Sequence, residues 1–372
     1  MHQGFDVRAA VSRIKSWRTM LMNACRENRL ANRNRKIVIH HRTIAPRTNQ
    51  GLASELTRRS TDRVRCAYTC ERIQNHVEDL MPVKEKIFPT LNRAVFRSDI
   101  PVNDIGAAIP RILHQTFYET TLAPKLQHNV DQLQAANPGW EYRFYTDDDI
   151  VHFIRENHSA SVLERFLRID ARYGAARADL FRYLLMYKVG GVYLDIKSGA
   201  ARPFDSVLQA DDRFVLSYWN ENETSNGWGQ HYELRDIAAG ELQQWHIICA
   251  PGHPFMKAVI DTVLTNIDTY VPSLHGVGKN GVLRVTGPIA YTRSIHRILA
   301  QHPHRIVDSE RDLGLTYNIY LNQSHETAFK SHYSVQIHPL LHLGIGKRIM
   351  TRFWGMVQFT YDIISGRRRK MK

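Results

Sequence analysis

With 372 residues, 43% of them apolar and 23% charged, the chain is ordinary globular material, long enough for one catalytic-sized domain with appended segments, and not collagen-like, disulfide-scaffolded or wholly disordered. Its formal net charge of +14 is concentrated at the ends, with 16 Lys/Arg against 5 Asp/Glu in residues 1–72 and 8 against 1 in residues 347–372. The stretch between them is mildly acidic, 26 against 30, which argues against a nucleic-acid reader gripping phosphate with its folded face.

The start, Met1-His2-Gln3-Gly4, lacks the basic and apolar regions of a secretory leader, so the expected compartment is the cytoplasm. Val7, Val11, Ile14, Leu21 and Cys25 then recur at roughly helical spacing, with Trp17 as an interfacial ring. Residues 26–75 are Arg- and Asn-rich and read as a loose docking arm. Cys66 and Cys70 are the only close-spaced cysteines, too few for a disulfide framework. Residues 97–108, with Pro101, Asn103, Asp104 and Gly106, read as a boundary. The expected organisation is an N-terminal extension over 1–108, a main domain over 109–343 and a C-terminal segment over 344–372.

From residue 109 the texture alternates. Strands are expected at 109–114, 140–145, 192–196, 213–218 and 245–250. Helices are expected at 122–136, after the acids Asp147-Asp148-Asp149, and at 177–188, 255–267 and 289–300. Strands alternating with helices imply an α/β domain with a largely parallel sheet. Beyond Gly344, Ile349, Phe353, Met356, Thr360 and Ile364 fall on one side of a helix that leads to Arg367-Arg-Arg-Lys370, a pattern suited to an anionic membrane surface, or to packing on the main domain with a solvated tail.

The informative segment runs from Arg177 to Lys197. Asp179 and Arg182, three apart, share one helix face; Gly190-Gly191 stops the helix; the next strand delivers Tyr193 and Asp195 to its carboxyl end, where ligands of open α/β sheets bind. On spacing alone such an Asp–Arg pair is also an ordinary ion pair. The ordered set Arg177-Ala-Asp179-Leu-Phe-Arg182-Tyr, Gly190-Gly-Val-Tyr193-Leu-Asp195, together with Ile109-Pro-Arg-Ile-Leu-His-Gln-Thr-Phe117 upstream and Gly252-His-Pro-Phe255 and Thr286-Gly-Pro288 downstream, resembles glycosyltransferase family 32, related in outline to the clostridial glucosylating toxins.

The resemblance implies a GT-A fold, a Rossmann-like, mixed and largely parallel sheet flanked by helices, and retaining transfer of a sugar from a UDP- or GDP-sugar to a glycan, lipid or protein hydroxyl, in surface or capsular glycan synthesis. It places His114, Gln115, Thr116, Phe117 and Tyr193 at the nucleotide, and Asp179, Arg182, Gly287 and Pro288 at the donor sugar. Asp195 and Lys197 carry the catalysis. His332 and His338 are candidates for the diphosphate, and Trp219, Glu221 and Glu223 for the acceptor. The family motif has a second aspartate where this chain has Lys197, which removes one ligand for Mn²⁺ or Mg²⁺ and adds a cation; the divalent ion, held by Asp195, is then weakened or dispensable. Two other readings are a toxin-like protein glycosyltransferase and a degenerate fold that binds nucleotide without turning it over.

Overall fold

The computed structural model describes residues 91–356 except 93–97, 221–227, 321–335, 347, 350 and 354. The expected N-terminal helix, the Cys66–Cys70 pair, Glu221, Glu223, His332 and the cluster from Arg367 onward lie outside the described residues.

In chain order the regular elements are β1 (Ile112–Thr116), α1 (Pro124–Ala136), β2 (Glu141–Tyr145), α2 (Asp147–Asn157), α3 (Ala160–Leu167), α4 (Gly174–Lys188), β3 (Gly191–Leu194), β4 (Gly199–Ala200), β5 (Phe214–Leu216), β6 (His246–Cys249), α5 (Pro254–Thr269), α6 (Pro272–His275), α7 (Gly278–Val285), α8 (Pro288–His296), β7 (Arg305–Ile306) and β8 (Leu315–Thr316). Six strands form one sheet in the order β2-β1-β3-β6-β5-β7, and β4 pairs with β8 apart from it. All neighbours in the six-stranded sheet are parallel except β6, which runs against both β3 and β5. This is a mixed, largely parallel sheet flanked by helices, as the alternation of strands and helices implied.

Local chemistry explains the main elements. α2 opens on a reciprocal cap, in which the Thr146 side chain accepts from the Asp149 amide and the Asp149 carboxylate accepts from the Thr146 amide. α4 and β3 are buried almost all round, from Asp179 to Tyr187 and from Gly191 to Leu194, as befits a helix under the sheet and a central strand. Each fully buried Leu or Phe there contributes roughly 1.5–3 kcal/mol. The diglycine between them is dictated by geometry: Gly190 and Gly191 have φ of +71° and +104°, and a Cβ on Gly191 would stand 2.5 Å from the Ile112 carbonyl oxygen. With no side chain in the way, α4 turns directly into β3, and the spacing of the residues at β3's far end is set by that turn.

Several expected boundaries move. β1 begins at Ile112 rather than 109, because the Ile112 amide donates to Pro110 O in a turn before the ladder starts. β3 ends at Leu194, since Ile196 turns down into an apolar cluster with Phe117, Leu126 and Val130. α8 stops at His296 rather than 300. α3 and α7 lie outside the expected elements: α3 carries Val162 and Phe166 to the core at helical spacing, and α7 contains the glycines Gly278 and Gly281, which weaken a helical pattern. Residues 345–356 are helical where described, with Ile345 and Ile349 exposed. Among the described residues no helix is long and apolar enough to cross a membrane.

Candidate active site

β1, β3 and β5 end on the same edge of the sheet, and the antiparallel β6 begins there. Leu194 pairs with His246, and the ladder continues one residue further as the Asp195 amide donates to Trp245 O at 2.9 Å. A tight turn follows, closed by Ser198 N donating to Asp195 O at 2.8 Å. Gln115 at the end of β1 steadies that turn through Nε2 to Asp195 O, 3.3 Å.

α4 passes beneath this edge and presents Arg182 to Asp195. Arg182 Nη1 lies 3.0 Å from Asp195 Oδ1 and Nη2 lies 3.2 Å from Asp179 Oδ1, so one guanidinium bridges two carboxylates. Nη1 also donates to Gln244 O at 3.0 Å, and the guanidinium carbon stands 4.9 Å over the Tyr193 ring. Tyr193 OH reaches Asp195 Oδ1 at 3.4 Å. Asp179 is satisfied from behind by Thr286 Oγ1 at 2.9 Å and Gln244 Nε2 at 3.2 Å.

Exposure sorts these groups. The side chains of Asp179 and Arg182 are 4% and 6% exposed, while that of Asp195 is 24% exposed. Asp195 is thus the accessible member of the chain, Arg182 holds Asp195, and Asp179 holds Arg182. Burial raises the Asp179 carboxyl to about 6 although Arg182 and the Thr286 hydroxyl pull the other way. Burial works against the Arg182 cation, but Asp195, Tyr193 and Asp179 more than offset it and its pKa stays above the ordinary guanidinium value.

Lys197 stands third in the turn from Asp195. Its Nζ donates to Tyr317 Oη at 3.0 Å and sits 4.2 Å over the Tyr317 ring. Tyr317 in turn packs against Trp219, Trp228 and Trp245 with ring centroids 5.4 to 5.5 Å away. Trp219 is fixed by its indole N–H donating to Glu241 Oε1 at 2.7 Å, while His231 Nε2 lies 2.7 Å from Glu241 Oε2. Gly229, at φ +69°, passes so close that a Cβ there would stand 2.4 Å from the Trp219 ring. Trp228 remains 46% exposed. Ser217 Oγ, Gln243 Oε1, Trp245 Nε1 and His246 Nδ1, all within or next to β5 and β6 at this edge, are buried polar atoms with no hydrogen-bond partner among the described residues.

The remaining expected nucleotide residues are engaged inside the fold. His114 is fully buried, with Nε2 3.0 Å from Gly190 O and Nδ1 3.1 Å from Tyr145 Oη. A carbonyl can only accept, so Nε2 carries the proton and Nδ1 accepts from the tyrosine; burial lowers this histidine to about 4. Gln115 bridges Tyr142 and Asp195, and Thr116 Oγ1 donates to Tyr145 O. Phe117 is 7% exposed and lies against Tyr118 at 4.2 Å. His114 thus ties β1 to the α4–β3 corner instead of presenting a polar edge to a ligand.

Gly287 and Pro288 are both buried and form the corner into α8; the residue of that corner that reaches the site is Thr286. His338 has an exposed side chain, and its carbonyl accepts from Tyr173 Oη at 2.5 Å. Tyr173 caps the start of α4, nine positions before Arg182, roughly 13 Å along the axis at 1.5 Å per residue. Thr286 belongs to the Thr286-Gly-Pro288 motif, so its place beside the site has a local signal in the sequence. Gln244 and Tyr317 carry no local signal, since they arrive from loops remote in the chain.

The resemblance to a DXD family implies a divalent cation, and the donor set does not fit one. Asp195 is the carboxylate at the turn, its Oδ1 is taken by Arg182 and Tyr193, and the second motif position carries an ammonium. Among the described residues there is no cluster of three His, Cys, Asp or Glu side chains able to hold a metal.

Comparison with known proteins finds glycosyltransferases. The chain is 29% identical over 157 residues to "Inositol phosphoceramide mannosyltransferase 1" of Schizosaccharomyces pombe, covering 41% of this chain and 42% of that protein. It is 26% identical over 256 residues to "Inositol phosphoceramide mannosyltransferase 2" of the same yeast, covering 66% and 64%. The chain thus spans less than two thirds of either relative. Among solved structures it is similar to the "PaToxG Glycosyltransferase", with a TM-score of 0.38 and 14% identity over 68% of this chain and 87% of that one. Residues 124–214, which hold Asp179, Arg182, Tyr193, Asp195 and Lys197, match the family described as "Glycosyltransferase sugar-binding region containing DXD motif", and the chain carries that region with Lys197 in the third position of the motif.

Proposed function

We propose that the protein is a retaining glycosyltransferase that moves a hexose from a UDP- or GDP-sugar to a hydroxyl of a glycan or lipid headgroup. The observation that carries this reading is the chain Asp179–Arg182–Asp195, which fixes one partly exposed carboxylate beyond the carboxyl end of β3. In the transfer the C1–O bond to the β-phosphate breaks with its electron pair passing to the phosphate oxygen. The acceptor oxygen bonds to C1 on the same face, and its proton passes to that phosphate oxygen. Asp195, held immobile by Arg182, orients donor hydroxyls so that this geometry is prepaid. Trp219 and the exposed Trp228 give an aromatic face beside the turn, suited to stacking an acceptor ring. The relatives' names make mannose the first sugar, and a phosphoinositol-bearing lipid the first acceptor, to be tried. A lipid acceptor also gives the basic ends of the chain an anionic surface to meet.

A screen of UDP- and GDP-hexoses for hydrolysis and transfer tests the reading. Asp195→Asn is expected to lower turnover about 10²–10³-fold. The melting temperature should fall only slightly, because the amide oxygen still accepts from Arg182. Native-like turnover in that variant would show that the site lies elsewhere. Failure of the native protein to turn over any of these sugars, with binding retained, would leave the degenerate binding module.

A further inference from the structure

The misfit between this turn and a divalent cation has a physical reading of its own. An aspartate holding a doubly charged ion contributes one net positive charge beside a departing diphosphate, and a bare ammonium contributes the same. The exchange of the second motif aspartate for lysine therefore leaves the charge offered to the diphosphate unchanged while removing the ion. Lys197 is also built for that task. The turn from Asp195 to Ser198 is pinned at both ends: Ser198 N donates to Asp195 O at 2.8 Å, and Ser198 Oγ donates to Tyr317 O at 2.8 Å. The ammonium rests on the Tyr317 ring and hydroxyl, and Tyr317 is wedged among Trp219, Trp228 and Trp245. Neither contact is to a carboxylate, so two of its three N–H groups remain available for an anion. A second cation, Arg182, lies behind Asp195 and engages its Oδ1, which leaves Asp195 as a single, already charge-paired carboxylate at this turn.

We propose that Lys197 takes the place of the divalent ion, contacting the donor diphosphate directly, and that nucleotide binding in this protein is independent of metal. This rests on the reading of the site as a nucleotide-sugar site. As the C1–O bond breaks, the electron pair arrives on the β-phosphate oxygen, and the ammonium hydrogen-bonds the growing negative charge without surrendering its proton. Tyr317 is the positioning residue, which keeps the ammonium at the turn and away from Asp195.

The test is calorimetric binding of UDP and GDP to the full chain, in EDTA and in Mn²⁺, for the native protein, Lys197→Met and Lys197→Asp. The native protein is expected to bind one of the two nucleotides with affinities within about twofold in the two conditions. Lys197→Met should bind at least about tenfold more weakly in both. Lys197→Asp rebuilds the paired carboxylates, so it should bind poorly in EDTA, recover in Mn²⁺, and take up Mn²⁺ visibly in its paramagnetic resonance spectrum. Near-ultraviolet circular dichroism of each variant separates loss of binding from loss of fold. Native binding that vanishes in EDTA and returns with Mn²⁺ would overturn the proposal while leaving the nucleotide-sugar reading intact. Absence of binding in either condition, with either nucleotide, would overturn both.

Discussion

Arg182→Met is expected to destabilise the protein by about 3–5 kcal/mol and to abolish donor binding, the larger cost coming from what is left behind. Among the described residues Arg182 is the cation paired with Asp179, whose side chain is 4% exposed. Without the guanidinium, Asp179 keeps its hydrogen bonds from Thr286 and Gln244 but loses the opposing charge, so its carboxyl should bind a proton at neutral pH. The second change Asp179→Asn, made on top of Arg182→Met, should recover a large part of the lost stability, because an amide needs no counter-charge, yet restore no binding. Arg182→Lys should fall between, since a point charge cannot bridge two carboxylates and the Gln244 carbonyl at once. Urea unfolding of these four proteins and of Asp179→Asn alone measures this; additive losses in the double variant would show that the two residues are not coupled.

Acid should unfold the protein well before its carboxylates titrate. His114, His246 and His253 are 0%, 2% and 0% exposed, and burial holds them at about 4, about 3 and about 4, below the ordinary 6.5. A group depressed in the folded state contributes its full stability above 6.5 and loses it as the pH falls toward the folded value. One unit below 6.5, each histidine forfeits about 1.4 kcal/mol and the three together ~4 kcal/mol, a large part of a typical ~5–15 kcal/mol. Asp179 acts oppositely, its folded value of about 6 lying above 3.8, so that it favours the fold as the pH drops from about 6 to about 4. One carboxyl offsets only part of three imidazoles. Protonation also breaks specific bonds: His253 Nδ1 accepts the Phe255 amide at the start of α5. Melting temperature followed from pH 7.5 to 5 should fall steeply below about 6.5, and His246→Leu should flatten part of that slope. A level profile would mean that these rings are hydrated.

What could be read from the sequence was what has a period or a local reason. Asp179 and Arg182 were placed together by helical spacing, and Asp195 by its position after a short apolar strand; the structure joins all three through one guanidinium. The alternation of β1, α1, β2, α4 and β3 was equally plain. The rest depended on distance along the chain. Gln244 enters because β6 runs backwards, which no pattern in residues 245–250 announces, and Tyr317 because the short β4–β8 pair brings its loop under Lys197. Side-chain burial was the other unread quantity. His114 and Gln115 look like ligands in a motif, and the histidine is instead a fully enclosed strut between β1 and Gly190.

The single reversed strand has a consequence for how the protein must be made. Because β6 delivers the Gln244 carbonyl and amide, and the turn before α8 delivers Thr286, the two side chains on α4 have no complete set of partners until some hundred further residues have been synthesised. A fragment confined to 124–214, the stretch that matches the family, would hold the signature residues with Arg182 deprived of the Gln244 carbonyl and Asp179 of both Thr286 and Gln244. Such a fragment should be a chaperone client rather than a minimal domain: the part of the chain that is easiest to recognise is not a part that can stand alone.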